Sequence, residues 1–250
     1  MVTLYVLAHF DDEFGALPLM LRDRAQGRDV RLCFNMDYRT PELARTRHAE
    51  TRAFLRRFGF DPDAALHLGV DTGIVDGRLY TEAPRAYAAL KAAATRLGKV
   101  DRLVTLAWEG GHPDHDLCAA MTVKLAGELG VAAPIEQISL YNSPDLPWLL
   151  YHGFQPLPEN GPVQRMKLSA ADWRRWVTSV ADYPSQIRTW LGLWPALLWT
   201  GAKQREFRWQ ILVPDRIAER PHAGPLFYER MFKVPYAAVR EAADSLGPVG

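Results

Sequence analysis

Two short runs of histidine and aspartate residues have the side chains of a metal-dependent hydrolytic centre. The first run is His9-Phe10-Asp11-Asp12 and the second is His112-Pro113-Asp114-His115. Two imidazoles and one carboxylate around a zinc ion leave a fourth position for water, which is the donor set of a catalytic zinc site. We therefore expect His9, Asp12 and His115 to bind one Zn²⁺ per chain.

The other polar residues of the two runs suit the steps of a hydrolysis. A zinc-activated water still needs a base to take its proton as it attacks an amide carbonyl, and Asp11 lies next to a ligand without being needed as one. We expect His112 to assist the oxyanion or the leaving amine. Asp114 is expected to orient His112 and to raise the pKa of its imidazole. Asp11, His112 and Asp114 are thus the predicted catalytic residues.

Purely structural roles are the alternative for the same residues. Asp11 or Asp12 could cap a following helix, and Pro113 could be the first-turn residue of another. Each run, however, follows a predicted strand closely, and two such clusters are rarer by chance than one. The pattern therefore favours a functional site.

Strands and helices alternate through the first part of the chain. Apolar and β-branched runs predict strands at residues 2–8, 30–35, 66–70, 103–107 and 135–141. Helical patterns follow most of them, as at residues 41–58, 83–97 and 116–129. This alternation predicts an α/β, Rossmann-like, doubly wound and mostly parallel sheet with helices on both faces.

The predicted topology brings the two runs together. In the usual strand order of this fold, strand four lies beside strand one, and ligands bind where the carboxyl ends of these strands flank a crevice. Residues about 100 positions apart would then face one another there. The first strand is followed by His-Phe-Asp-Asp, not by a glycine-rich turn, so we expect no dinucleotide cofactor.

The remaining chain has a different pattern. We expect residues 1–145 to form the catalytic core and residues 146–250 to form a C-terminal elaboration packed on it as a tryptophan-rich cap, within one overall domain. A secondary hypothesis is an apolar flap that contacts a lipid-linked or aromatic substrate, or a subunit interface. Its residues are Trp190, Leu191, Leu193, Trp194, Leu197, Leu198 and Trp199.

Composition limits the class of protein. The 250 residues are 48% hydrophobic and 24% charged, with a net charge of +1, which is ordinary for a globular protein. Without a basic run interleaved with aromatics, nucleic-acid binding is not expected. The first residues are typical of a strand and not of a signal peptide, and no apolar stretch is long enough for a transmembrane helix, so we expect a cytoplasmic protein. The sequence leaves open whether the protein forms a homo-oligomer.

The two runs resemble the motifs of a known family, the PIG-L/LmbE-like zinc-dependent de-N-acetylases. The family motifs are Ala-His-Pro-Asp-Asp-Glu and His-Pro-Asp-His, and Phe10 stands here in place of the first proline. The resemblance covers roughly residues 1–145. It implies that His9, Asp12 and His115 bind zinc, that Asp11 is the general base, and that His112 assists the oxyanion or the leaving group. It also implies a substrate that resembles an N-acetylglucosamine conjugate.

Weaker similarities concern substrate binding. Arg47 and Asp76 match family residues that bind sugar hydroxyls, although a surface salt bridge for Arg47 and a turn at Asp76 are equally ordinary. The mycothiol-type members carry a tyrosine where this chain has Gly110. Trp108, Glu109 and Tyr183 are the residues considered as its replacement.

Two other functions fit the same residues. One is a sugar-binding relative that has lost catalysis, which the complete set of ligands and Asp11 disfavours. The other is a zinc amidase or esterase that acts on a non-sugar or thiol-conjugate substrate. The same catalytic groups would serve any attack on a carbonyl carbon, so only the pocket walls distinguish these reactions.

Overall fold

The parallel part of the sheet is built from five strands in the first 140 residues. They are β1 (Val2–Leu7), β2 (Asp29–Phe34), β3 (Ala65–His67), β4 (Val100–Leu106) and β5 (Glu136–Ile138). The computed structural model describes residues 1–187, 189–192, 195 and 205–247. Within them, β1 pairs in parallel with both β2 and β4. The predicted neighbourhood of strands one and four is confirmed.

Helices connect these strands. The described helices are α1 (Asp12–Ala25), α2 (Pro41–Arg57), α3 (Gly69–Thr72), α4 (Ala83–Arg96), α5 (Pro113–Leu129), α6 (Ala170–Thr178), α7 (Phe227–Met231) and α8 (Tyr236–Ser245). Helices α4, α5 and α8 contact one another, whereas α1 contacts α6. The α/β class with a mostly parallel sheet is as predicted.

Two expected strands are shorter than the sequence pattern indicates. The third ends at His67 because the chain turns into α3 at Gly69, where a Cβ atom would lie 2.1 Å from the backbone of Met36. The fifth leaves the sheet after Ile138. Residues Tyr141–Asn142 (β6) instead pair antiparallel with His152–Gly153 (β7).

The C-terminal elaboration differs from the expected cap because part of it extends the sheet. Strand β9 (Glu206–Ile211) pairs antiparallel with β5, and β8 (Val163–Lys167) pairs antiparallel with β9. The complete order is β3-β2-β1-β4-β5-β9-β8. The sheet therefore continues across the boundary expected near residue 145.

Tryptophans also connect the C-terminal residues to the core. Trp176 is buried, and its Nε1–H donates a hydrogen bond to the Phe14 carbonyl oxygen at 2.7 Å. Trp190 is only 3% exposed and its ring packs against Phe14. None of the helices in the described part of the chain is long and apolar enough to cross a membrane.

Candidate metal centre and its cavity

The turn from β1 into α1 holds Asp11 in a rare backbone conformation. Its φ angle is 113°, a region that costs a non-glycine residue about 1–3 kcal/mol. The Asp11 N–H donates to the carboxylate of Glu13 at 2.9 Å, and the buried Glu13 also accepts hydrogen bonds from Thr51 and Tyr183. Although Asp11 is the N-cap residue of α1, its side chain makes no capping bond. Its carboxylate is therefore free for another role.

Phe10, which replaces the family proline, is fixed by its surroundings. Its N–H donates to the Tyr38 hydroxyl at 2.7 Å, and its carbonyl oxygen accepts from Gln186 at 2.7 Å. The fully buried ring lies 5.1 Å from the His48 ring and 4.6 Å from the Phe34 ring, centroid to centroid. Packing and hydrogen bonds thus stiffen this loop without a proline.

The loop between β4 and α5 is held by a second buried acid. The Asp116 carboxylate accepts hydrogen bonds from the N–H groups of Glu109 and Gly110, at 2.9 and 3.1 Å. His112 caps α5, since its Nδ1 atom accepts from the Asp114 N–H at 3.2 Å, and Pro113 occupies the first turn. Because Nδ1 is an acceptor, the Nε2 atom of His112 carries the proton.

The three predicted ligands are neighbours in the structure. The Nε2 atom of His115 lies 3.3 Å from His9 Nδ1 and 3.4 Å from Asp12 Oδ1, and His9 Nδ1 lies 3.8 Å from the other Asp12 oxygen, Oδ2. Zinc–ligand bonds of about 2.0–2.2 Å place the donors of a tetrahedral site roughly 3.3–3.6 Å apart. The His9–His115 and His115–Asp12 pairs have this spacing, whereas Asp12 faces the two histidines with different oxygens.

Asp114 contacts a different histidine from the one we expected. Its carboxylate lies 3.2 Å from His9 Nε2 but 3.8 Å from His112 Nδ1. It also accepts backbone hydrogen bonds from Gly77 at 2.6 Å and Leu79 at 3.0 Å, and its side chain is fully buried. Asp114 therefore contacts the His9 ring at Nε2, the nitrogen that does not face His115, and does not line the cavity.

His112 lies close enough to be a further candidate ligand. One ring nitrogen from each of His9, His112 and His115 lies within 4.8 Å of the other two. A second group with the same mutual distances consists of His9, Asp76, His112 and Asp114. The charge of Asp114 acts to raise the pKa of His112, as expected. Burial outweighs it, however, and lowers the pKa of His112 to about 3.

The carboxylates of the centre have shifted pKa values. Burial, and then the charge of Asp12, raise the pKa of Asp11 well above its usual range. Burial also acts to raise the pKa of Asp12, but His115 and His9 lower it further than burial raises it. Asp76 has a lowered pKa for the same reason, because His9 and His112 outweigh its burial. Asp11 is thus the most basic of the three carboxylates.

A cavity of about 360 Å³ opens over these groups. Of the eight predicted site residues, only Asp114 does not line it. The seven that do are His9, Asp11, Asp12, Arg47, Asp76, His112 and His115. The Arg47 guanidinium lies 4.6 Å from the centre of the Tyr38 ring and forms no ion pair within the described residues. Asp76 faces His9 while Gly77 beside it makes the turn, with a φ of 80°.

Most of the cavity wall could not be recognised from sequence motifs. The wall is largely apolar and aromatic, and includes Leu140, Tyr141, Tyr151, Trp190, Phe227, Met231 and Phe232. Apart from Trp190, these residues are spread over residues 140–232, without a local pattern that marks them as a site. Gln186 and Thr189 add polar groups.

None of the three residues considered as a replacement for the family tyrosine reaches the cavity. Trp108 is fully buried, Glu109 binds the backbone of residues 140 and 141, and Tyr183 binds Glu13. A Cβ atom at Gly110 would lie 2.8 Å from the Leu226 side chain. A larger residue here would have a strained φ of 74° and would require the Leu226 side chain to shift.

Comparison with protein families agrees with the two motifs. The model of the PIG-L family, described as GlcNAc-PI de-N-acetylase, matches residues 4–126. This span contains every predicted site residue. Comparison of the sequence with curated proteins gave no significant match.

Solved structures share the fold at low sequence identity. A deacetylase of the teicoplanin biosynthesis pathway is similar with a TM-score of 0.62 and 16% identity, over 85% of this chain and 98% of that one. An N,N'-diacetylchitobiose deacetylase from Pyrococcus horikoshii gives 0.58 and 16%, over 84% and 83%. A 4-carboxy-2-hydroxymuconate hydratase from Pseudomonas putida gives 0.52 and 14%, over 84% and 95%.

The hydratase shows that this fold also occurs in a protein with another reaction. At these identities the structural likeness establishes the fold alone. The family assignment depends on the sequence match, which includes both motifs at the metal centre. The chain belongs to the PIG-L family, whose model is that of GlcNAc-PI de-N-acetylase.

Proposed function

We propose that this protein is a zinc-dependent hydrolase that removes the N-acetyl group from an N-acetylglucosamine-like sugar conjugate. One observation carries the proposal. His115 Nε2 lies 3.3 Å from His9 Nδ1 and 3.4 Å from Asp12 Oδ1, and the neighbouring Asp11 carboxylate lines the same cavity without a capping bond. This is the arrangement of an open catalytic site with a base at hand.

The chain's own residues account for the proton transfers. A bound zinc ion would supply Lewis acidity, which lowers the pKa of a water molecule and polarises the acyl carbonyl. Asp11 accepts the proton as the water oxygen attacks the acyl carbon. Asp11 then gives this proton to the nitrogen as the C–N bond breaks, which yields a carboxylic acid and a free amine. Burial makes Asp11 a stronger base than a carboxylate in water.

His112 acts in this scheme as a neutral hydrogen-bond donor. Its pKa of about 3 keeps the imidazole uncharged near neutral pH, and its Nε2–H is the free donor. A neutral donor stabilises the negative charge that develops on the acyl oxygen without first losing a proton. The role differs from that of a charged imidazolium acid.

The cavity suits a small polar group held between apolar walls. Arg47 and Asp76 offer a donor and an acceptor for sugar hydroxyls beside the metal centre. The aromatic wall faces them, as is typical of small-molecule sites in which a few polar groups fix the orientation. The sugar and the acetyl group rest mainly on the family membership.

Exposed apolar side chains adjoin the cavity wall in the sequence. Trp148 is 87% exposed, and with Leu149 and Leu150 it directly precedes the wall residue Tyr151. Of the residues in the flap hypothesis, Trp190 is buried, Leu191 is 66% exposed, and Leu193, Trp194, Leu197, Leu198 and Trp199 lie outside the described residues. We propose that the exposed residues 148–150 contact an apolar group attached to the sugar.

A substrate panel tests the proposed reaction. The zinc-loaded protein is incubated with N-acetylglucosamine, its octyl glycoside and matched O-acetyl esters, and acetate release is measured. We expect acetate from the amides and a lower KM for the octyl glycoside. Release from the esters alone would favour an esterase, and zinc binding without hydrolysis of any compound would favour a sugar-binding relative. Cytoplasmic location and homo-oligomer formation stay predictions.

A further inference from the structure

Two tyrosines line the cavity wall, and only one of them borders the metal centre. The ring of Tyr141 lies 5.6 Å from that of His115, centroid to centroid. The Tyr151 hydroxyl instead lies near Gly192, 3.0 Å from where a Cβ atom on that glycine would be. The two rings lie 5.9 Å apart, centroid to centroid, and the Tyr141 ring is the one that contacts His115.

Tyr141 is held firmly by the backbone around it. Its N–H donates to the Glu109 carboxylate at 3.0 Å, and the residue pairs with Gly153 in the β6–β7 ribbon. Gly111 packs so closely that a Cβ atom there would lie 2.0 Å from the Tyr141 carbonyl oxygen. Phe227 contacts the other side of the ring at 5.6 Å. Such fixed donors cost little reorganisation during a reaction.

The hydroxyl of Tyr141 is available to a ligand. In the part of the chain that the structure describes, no hydrogen-bond partner is found for it, although the residue is largely buried. The carboxylates of Asp12, Asp76 and Asp11 all act on it electrostatically, which places it on the acidic side of the cavity. For Tyr151, burial is the one cause of its raised pKa, and no carboxylate contributes.

We propose that the Tyr141 hydroxyl donates a hydrogen bond to the acyl oxygen of the substrate as this oxygen becomes an oxyanion, together with His112. The inference rests on the proposed hydrolysis. The hydroxyl keeps its proton throughout, and Tyr141 forms no covalent bond. Tyr141 is then a catalytic residue contributed by the strand after β5, outside both sequence motifs.

Tyr141→Phe in the full-length, zinc-loaded protein tests this role, with Tyr236→Phe as the control, because Tyr236 begins α8 and does not line the cavity. Loss of one oxyanion donor lowers kcat by about 10²–10³-fold. We expect this loss in Tyr141→Phe with nearly unchanged KM, zinc content and melting temperature. We expect Tyr236→Phe to keep kcat close to that of the wild type. Equal losses in both variants, or a change in KM alone, would overturn the proposal.

Binding of a tetrahedral analogue gives a second measurement that does not depend on turnover. Glucosamine with an N-methylphosphonyl group carries negative charge where the oxyanion would form. Calorimetry should show weaker binding to Tyr141→Phe by about the same factor as the loss in kcat, with unchanged binding to Tyr236→Phe. Equal affinity of Tyr141→Phe and wild type would refute the hydrogen bond. A wild-type protein that releases no acetate would instead contradict the proposed function.

Discussion

The Nε2 atom of His9 lies 3.2 Å from the Asp114 carboxylate, while Nδ1 of the same ring lies 3.3 Å from His115 Nε2. A ring nitrogen that donates to a carboxylate fixes the tautomer, so the other nitrogen keeps a lone pair for a metal ion. The two oxygens of Asp12 also differ in their partners. Oδ2 accepts hydrogen bonds from the N–H groups of Ala8 and His9, whereas Oδ1 faces His115. Hydrogen bonds to the protein thus orient the His9 and Asp12 side chains before any metal binds.

Asp114→Asn should weaken metal binding without removing a ligand. Loss of a carboxylate that orients a ligating histidine typically lowers metal affinity about 10–100-fold. Zinc affinity is measured by competition with a chromogenic chelator. The exposed Asp71→Asn serves as the control. Wild-type affinity in a folded Asp114→Asn protein would show that Asp114 does not orient His9.

Phe10→Pro should destabilise the protein even though it restores the family residue. The change removes the N–H that donates to Tyr38 and a fully buried ring, and loss of a buried phenylalanine side chain costs roughly 3–5 kcal/mol. The free energy of unfolding is measured by urea denaturation. Phe10→Leu keeps the N–H and part of the volume, so it should lose less. Equal stability of Phe10→Pro and wild type would refute the packing argument.

Ionisation of the buried Glu109 side chain should lower the free energy of unfolding as the pH rises. Burial raises its pKa to about 7 from an ordinary value of 4.5. Because the folded state holds the proton more tightly, this contribution to stability is complete below pH 4.5 and is lost as the pH rises through about 7. The loss is at most about 3 kcal/mol.

Glu109→Gln tests this pH dependence. The variant should lose less unfolding free energy between pH 5 and 8 than the wild type, by up to about 3 kcal/mol, even if it is less stable overall. Glu42→Gln, at an exposed position, should follow the wild-type profile. Identical slopes for Glu109→Gln and wild type would show that this carboxyl group does not titrate in that range.

His112→Ala should distinguish two donor sets. If His9, Asp12 and His115 hold the metal, His112→Ala keeps zinc close to one per chain and loses turnover by about 10²–10³-fold as an oxyanion donor is removed. Asp12→Ala should lose the metal. The reverse pattern, with zinc lost from His112→Ala and kept by Asp12→Ala, would assign the site to the three imidazoles.

The sequence predicted the parts of the site that depend on strand order. His9 and His115 meet because the parallel strands β1 and β4 are neighbours, and apolar periodicity with the two motifs was enough to place them. Tyr141 and Phe227 were missed because their position depends on where the chain turns after β5 and on how the C-terminal residues return. The partner of Asp114 was also missed, since one residue of helical rotation decides between His9 and His112.

The C-terminal strands illustrate the same limit. Strand β8 is a short segment of mixed polarity, Val163–Lys167, and its pairing with β9 is set by residues about 40 positions away. Local propensity carries little information about such pairing. Trp176 and Trp190 are buried against the core, but the tryptophan pattern did not indicate that the chain beyond residue 145 extends the sheet.

Zinc content and acetate release, measured side by side in wild type, Asp11→Asn and His115→Ala, test whether Asp11 is the general base of a zinc site that includes His115. We expect zinc near one per chain in the wild type and in Asp11→Asn, with turnover lowered by about 10²–10⁴-fold when the base is removed. His115→Ala should lose both zinc and activity. Equal loss of zinc from the two variants, or full turnover in Asp11→Asn, would contradict it.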